Sequence, residues 1–305
     1  MVRSRYLLGA ALSAAVVVVL AGLPAAVSAE GMKVISDKTV AGFKFPESVA
    51  YDPAAKVLYV SEFGSELKPT QKDGKGRISK VALDGTVIEE SFLPAAGQTL
   101  DKPKGIWVAG DRLWVTDIDS VWVFDTNTKE GRKVALPGIQ FANDPTIVGD
   151  AVYVSDNRGD QLYRVEPADF LKTSGEPKVT LVSAGKSINP NGLYPAADGS
   201  LLMVGFKSET EARGIYSLTL GGEPKVLADG LGRLDGIYQA KNGDLLVTDW
   251  DSGSLNLWNA KAGLQKLAGD FKGPADFTVV STDGGLLVVV PDLVKSELRL
   301  IQLGE

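Results

Sequence analysis

Neither cysteine nor histidine occurs among the 305 residues. Without cysteine, disulfides, thiolate metal sites, c-type haem attachment and a lipoprotein anchor are excluded. Without histidine, Ser-His-Asp and Cys-His catalysis, imidazole zinc sites and a histidine general base are excluded too. Any chemistry must come from carboxylates, amides, hydroxyls, lysine or a metal held by oxygen. Positive charge is in deficit: 32 Lys and Arg stand against 38 Asp and Glu, a net charge of −6. An acidic surface repels phosphate backbones and anionic lipid, so neither nucleic acid nor a membrane surface is an expected partner. Helical periodicity is nearly absent, and only residues 168–172, after Pro167, read as one helical turn.

One uncharged run is conspicuous. Leu7 to Leu23 is rich in Ala, Val and Leu, follows Arg3 and Arg5, and is ended by Pro24. Val27, Ser28 and Ala29 supply the small residues that a signal peptidase cuts behind. Residues 1–29 are therefore expected to be a signal peptide and 30–305 the mature domain, exported to the periplasm or the medium. An uncleaved anchor fits less well, because the run is short and alanine-rich for a spanning helix. No later segment is apolar for long enough to cross a bilayer, so no stable membrane insertion is expected after cleavage.

The remainder repeats. Six times a small polar turn leads into a short apolar strand, then a Gly or Asp turn, then a strand ending near an acid. Pro103-Lys104-Gly105-Ile106-Trp107 with Leu113-Trp114-Val115-Thr116-Asp117 is one unit, and Leu234-Asp235-Gly236-Ile237 with Leu245-Leu246-Val247-Thr248-Asp249 is another. The repeat begins at positions 47, 104, 143, 191, 235 and 275, and each unit closes with a further strand such as Gln161-Leu162-Tyr163-Arg164-Val165. Short strands recurring every ~40–50 residues predict an all-β fold, a six-bladed β-propeller of four-stranded antiparallel blades. The longest interval holds a polar stretch, 64–76, read as a surface loop or a lid. Asp117, Asp156 and Asp249 end strands at one phase and are expected to bond turn backbone. The five tryptophans, Trp107, Trp114, Trp122, Trp250 and Trp258, are expected to be inter-blade core.

In a propeller, equivalent positions on successive blades ring the axis. The ring here is Glu47, Lys104, Asn143, Asn191, Asp235 and Ala275, with Asp144 and Asp276 one residue later. Singly these are common turn formers. Together, at one phase and with a Glu that turns do not need, they form a hard-oxygen set of the kind that suits calcium. Lys104 opposes a dication. It could pair with Glu47 or Asp235 in place of metal, lean outward, or orient an anionic substrate.

Glu47 in Pro-Glu-Ser-Val-Ala-Tyr-Asp, Asn143 in Asn-Asp-Pro, Asn191 in Pro-Asn-Gly-Leu and Asp235 in Leu-Asp-Gly-Ile resemble the SMP-30/gluconolactonase/luciferin-regenerating-enzyme family. More distantly they resemble the diisopropylfluorophosphatase-type phosphotriesterases. The resemblance implies one catalytic divalent cation, usually calcium, with Glu47, Asn191 and Asp235 as ligands. It implies Asn143 as a ligand or substrate contact, and Asp235 as base or nucleophile. Phe141 stands where the family often has a substrate-binding Arg, which turns the expected site toward an apolar lactone. The pocket histidine typical of the phosphotriesterases is missing. Two functions stay open: calcium-dependent hydrolysis of a small lactone or ester, and a non-enzymatic propeller that scaffolds or binds a protein partner.

Overall fold

The computed structural model describes residues 31–184, 186–207 and 211–304, so the signal-peptide expectation lies outside the described residues. Six four-stranded antiparallel sheets follow one another around an axis. The first blade comprises Pro46–Asp52, Val57–Glu62, Arg77–Ala82 and Val87–Leu93, innermost strand first. The next four blades repeat this order, with inner strands Pro103–Ala109, Ala142–Val148, Pro190–Pro195 and Leu234–Gln239. The sixth blade borrows its outer strand. Thr278–Thr282, Gly285–Asp292 and Glu297–Gly304 are completed by Lys33–Ala41, which pairs with the C-terminal strand from Lys33↔Gly304 to Ala41↔Glu297. Strands from near both ends of the described residues thus close one sheet, and the Arg299 guanidinium ion-pairs with Asp37 across the seam.

The second strand of each blade is covered on both faces, which is why Val57–Glu62 and Arg112–Asp117 are buried at every position. Core side chains gather between blades. Val57, Tyr59 and Ile78 of the first blade meet Val115, Trp122 and Phe124 of the second, and equivalent clusters fill the other five junctions. Each fully buried Val, Leu or Phe contributes ~1.5–3 kcal/mol. The helical turn expected at 168–172 is a single 3₁₀ turn, Phe170–Lys172. Among the described residues no helix is long and apolar enough to cross a membrane.

Two sets of side chains fix where each inner strand starts. Asp117 accepts the N–H groups of Asp101 and Lys102, Asp156 those of Gln140 and Phe141, and Asp292 those of Lys272 and Gly273. The strand-end acids therefore bond loop or turn backbone, as expected for Asp117, Asp156 and Asp249. Asp249 bonds the turn after it, through the N–H groups of Asp251 and Ser252. The fourth blade has Gly205 at this position. Asp160 of the preceding blade takes over there, accepting from Ser187, Ile188 and Asn189.

The second set is hydroxyl. Ser61, Thr116, Ser155 and Thr248 each stand one residue before the strand end. Their hydroxyls donate to the backbone carbonyls of Lys104, Asn143, Asn191 and Ala275, the ring residues of the next blade. Three of them also accept an N–H from their own inner strand, from Ser48, Asp144 and Gly236. Asp276 N–H closes the circle on the Glu47 carbonyl. The strand register shifts at each of these positions and also in the fourth blade, which has Val204 there, so the shift belongs to the repeat and the hydroxyl fills the gap it leaves in the ladder. Such bulges re-aim the side chains they carry. Thr248→Val, nearly isosteric, would leave Gly236 N–H and the Ala275 carbonyl unpaired. It is expected to lower unfolding free energy by about 1–3 kcal/mol in a urea titration.

Candidate functional site

The four oxygen-bearing ring residues converge. Glu47, Asn143, Asn191 and Asp235 each occupy the second position of an inner strand and line one cavity of about 470 Å³ at the mouth of the channel. All are at most 5% exposed. The cavity lies within the ~300–1,000 Å³ span of small-molecule sites. Glycine follows the ring residue in the second, fourth and fifth blades. At Gly192 a Cβ would lie 2.2 Å from the Asp235 carbonyl oxygen, so the inner strands could not come this close with any other residue.

Three of the four expected ligands present an oxygen with no hydrogen-bond partner: Glu47 Oε2, Asn191 Oδ1 and Asp235 Oδ1. The other atoms of two of these groups are engaged. Trp250 Nε1 donates to Asp235 Oδ2 at 2.7 Å, and Asn191 Nδ2 donates to the Leu234 carbonyl at 3.4 Å. Each free oxygen is thereby held toward the cavity. Asn157 Oδ1, in the same wall, is a fourth. Burying unpartnered oxygens costs several kcal/mol unless something is bound to them. An oxygen-preferring dication fits this donor set of two carboxylates and two amides. No three His, Cys, Asp or Glu side chains group as a metal site among the described residues, so a cation here depends on the asparagines.

Electrostatics agree with that reading. Burial, reinforced by the Asp276 charge, pushes the Asp235 carboxyl up to about 8. Burial and the Asp235 charge push Glu47 well above the carboxylate range, against the opposing pull of Lys104. One residue along the chain, burial raises Asp276 to about 7, and burial with the Asp276 charge raises Asp144.

Lys104 makes no ion pair with Glu47 or Asp235. Its ammonium donates to the Lys102 carbonyl at 3.2 Å and lies 4.2 Å from the centre of the Phe141 ring and 5.9 Å from that of Phe63. Burial lowers it to about 8, with Glu47 pulling the other way. Of the two expected substrate contacts, Phe141 lines the cavity, whereas Lys104 sits behind it.

A second ring went unread in the sequence. The residues just after the strand-end position are Phe63, Ile118, Asn157, Phe206, Trp250 and Leu293, and all but Ile118 line the cavity. The expectation that all five tryptophans are core fails for Trp250. It packs edge-on against Phe206 at 5.6 Å and bonds Asp235. Its signal was its phase, one residue past Asp249. Arg158 supplies a guanidinium 4.1 Å from the centre of the Phe141 ring and makes no ion pair with a described residue. The 64–76 loop contributes Leu67 and Pro69 to the wall. It is strapped down by the fully buried Lys102, which bonds Asp73 at 2.8 Å and the Phe63 carbonyl at 2.9 Å.

The raised carboxyls give a signed pH dependence. An unfolded carboxyl ionises near pH 4, before its folded counterpart, so between roughly pH 4 and 8 the folded state holds more protons. In chelator, the stability contributed by these groups is therefore fully present below pH 4 and is lost as pH rises to about 8, by up to about 1.4 kcal/mol per pH unit per group. Melts in EDTA should show Tm declining over this window, and excess calcium should restore more at pH 8 than at pH 5. A Tm that rises with pH in EDTA would contradict the assignment.

No family model and no curated protein matches the sequence. Solved structures do match in shape. A candidate gluconolactonase is 14% identical, with a TM-score of 0.65 over 89% of this chain and 94% of the other. Virginiamycin B lyase from Staphylococcus aureus is 14% identical, with a TM-score of 0.58 over 88% and 99%. A catalytically inactive histidine-to-alanine variant of that lyase, solved with quinupristin, is 15% identical, with a TM-score of 0.55 over 88% and 99%. At these identities the likeness establishes a shared six-bladed fold.

Proposed function

We propose that the chain is a calcium-dependent hydrolase of small lactones or related esters that carry an apolar substituent. The observation behind this reading is the set of unpartnered, buried oxygens on Glu47, Asn191 and Asp235 at the floor of an apolar-walled cavity. These three residues with Asn143 would hold the cation, which when bound would supply Lewis-acid polarisation of the ester carbonyl. Asp235 accepts the proton of the attacking water and returns it to the departing alkoxide. Water adds to the carbonyl carbon, the ring C–O bond breaks, and a hydroxy acid leaves. The Trp250 N–H keeps one Asp235 oxygen occupied and the other aimed inward. Phe63, Phe206 and Leu293 exclude bulk water and seat the apolar substituent. Arg158 faces any acidic group that the substrate carries at the rim.

The lyase comparison favours this reading over elimination chemistry. That enzyme is inactive when one histidine is replaced, and this chain has no histidine. Export through the N-terminal segment belongs to the same reading.

Calcium titration of the mature protein tests it first. Micromolar binding is expected in wild type and its loss in both Glu47→Gln and Asp235→Asn. Hydrolysis of aryl- or alkyl-substituted lactones should need calcium and should fall by about 10²-fold or more in Asp235→Asn. Calcium binding without hydrolysis of any lactone, ester or phosphotriester would leave the scaffold reading, in which the cation is structural. Trp250→Phe should act through position and charge. The kcat is expected to fall by about tenfold, and the acid limb of the pH–rate profile to move to higher pH, because a donor that favours ionised Asp235 is gone. An unmoved limb would reduce Trp250 to packing.

A further inference from the structure

The opposite end of the channel holds a second cavity of about 280 Å³ that shares no lining residue with the first. Much of its wall comes from one repeat position. Three residues after each ring residue the chain places Ala50, Trp107, Thr146, Tyr194, Tyr238 and Thr278, opposite Tyr59, Trp114, Tyr153, Leu202, Leu246 and Val289, and all but Thr146 line the cavity. Trp107, Tyr194 and Tyr238 form a continuous aromatic arc, with ring centres 6.2 and 5.2 Å apart and both pairs edge-to-face at 67°. Ala50 and Thr278, small and on the far side, leave the arc open. Phe277 and the half-exposed Tyr51 extend it.

Two carboxylates line the same cavity. Asp144 is 4% exposed and accepts one N–H, from Leu193 at 2.7 Å. Asp276 accepts the Ser48 hydroxyl at 2.5 Å. Neither forms an ion pair with a described residue, whereas the buried Glu62 is paired with Arg77, and Asp117, Asp156 and Asp292 each accept two loop N–H groups. In the aromatic arc's own ring, Thr146 Oγ1 is buried without a hydrogen-bond partner. The sequence reading of Trp107 as plain inter-blade core is incomplete, since one of its edges packs in the core while the ring also faces this cavity.

Aromatic faces carry negative charge density, and several set around uncompensated carboxylates make a receptor for an organic cation. A bare dication would gain little from Trp and Tyr faces, and a neutral apolar molecule would leave Asp144 and Asp276 unanswered. We infer that this cavity binds an alkylammonium group, quaternary or primary, presented by a small molecule or by a lysine-like side chain. The site is independent of whether the upper cavity hydrolyses anything.

Choline is the probe, with 3,3-dimethylbutan-1-ol as its uncharged isostere, read by calorimetry and by tryptophan fluorescence. Saturable choline binding is expected with no binding of the alcohol. Trp107→Leu and Asp144→Asn should each weaken it on the order of tenfold or more. Tyr238→Leu reads the same wall should Trp107→Leu fail to fold. Arg158→Ala, in the upper cavity, should leave the affinity within about twofold. Equal binding of choline and the alcohol would overturn the inference. So would choline binding that survives Trp107→Leu, Tyr238→Leu and Asp144→Asn, or no choline binding by a folded wild type whose Asp144 instead takes calcium.

Discussion

The structure depends on a hydroxyl placed one residue before the end of the second strand in four of the six blades. Ser61, Thr116, Ser155 and Thr248 each reach across a blade junction to the carbonyl of the next ring residue. The bond does two things at once. It stitches one blade to the next at the axis, where apolar packing gives way to polar side chains. It also fills the gap in the ladder where the inner strand bulges and its side chain turns into the cavity. The fourth blade has Val204 at this position and lacks the hydroxyl. There the Asn191 amide itself crosses to the Leu234 carbonyl, and its oxygen is left facing the cavity. Architecture and site are thus set by the same few bonds.

Around that frame the channel gathers negative charge. Glu47, Asp144, Asp235 and Asp276 are brought together from four blades, and Lys104 is the one buried cation in their immediate reach among the described residues. Lys104 does not neutralise them by contact. It is held between Phe141 and Phe63 and bonded to the Lys102 carbonyl, so it acts on Glu47 through space. Folding such a cluster is costly unless protons or cations are supplied. The two ends of the channel differ in what they offer a cation. The upper end gives amide and carboxylate oxygens at one level, which suits a hard metal ion. The lower end gives aromatic faces with carboxylates beneath, which suits a softer, larger cation.

Much of the fold was legible because strand, turn and acid recur at one phase, and phase alone orders a propeller. The missing piece was the closure. Lys33–Ala41 is exposed at nearly every position and has no apolar alternation, so nothing marks it as a strand until its partner, the C-terminal strand, is in place. Within the site, Glu47, Asn143, Asn191 and Asp235 share a phase and were readable together. Phe206 and Trp250 share another phase one residue past the strand end. They were passed over because their blade mates, Ile118 and Asn157, differ too much in chemistry to suggest a ring. Arg158 could not have been placed. It lies on a turn of the third blade, and its meeting with Phe141 depends on where that turn folds back.

The chain by itself determined the architecture, the exclusion of thiol and imidazole chemistry, and which oxygens ring the axis, because each of these follows from composition or from periodicity. Only the tertiary structure decided which oxygens are left without partners, that Lys104 stands behind Phe141 rather than against Glu47, and that the channel has two unlike mouths. These outcomes depend on contacts between residues far apart in the chain, such as Ser61 with Lys104 and Leu193 with Asp144. Such contacts are fixed by angles and distances that no local pattern encodes.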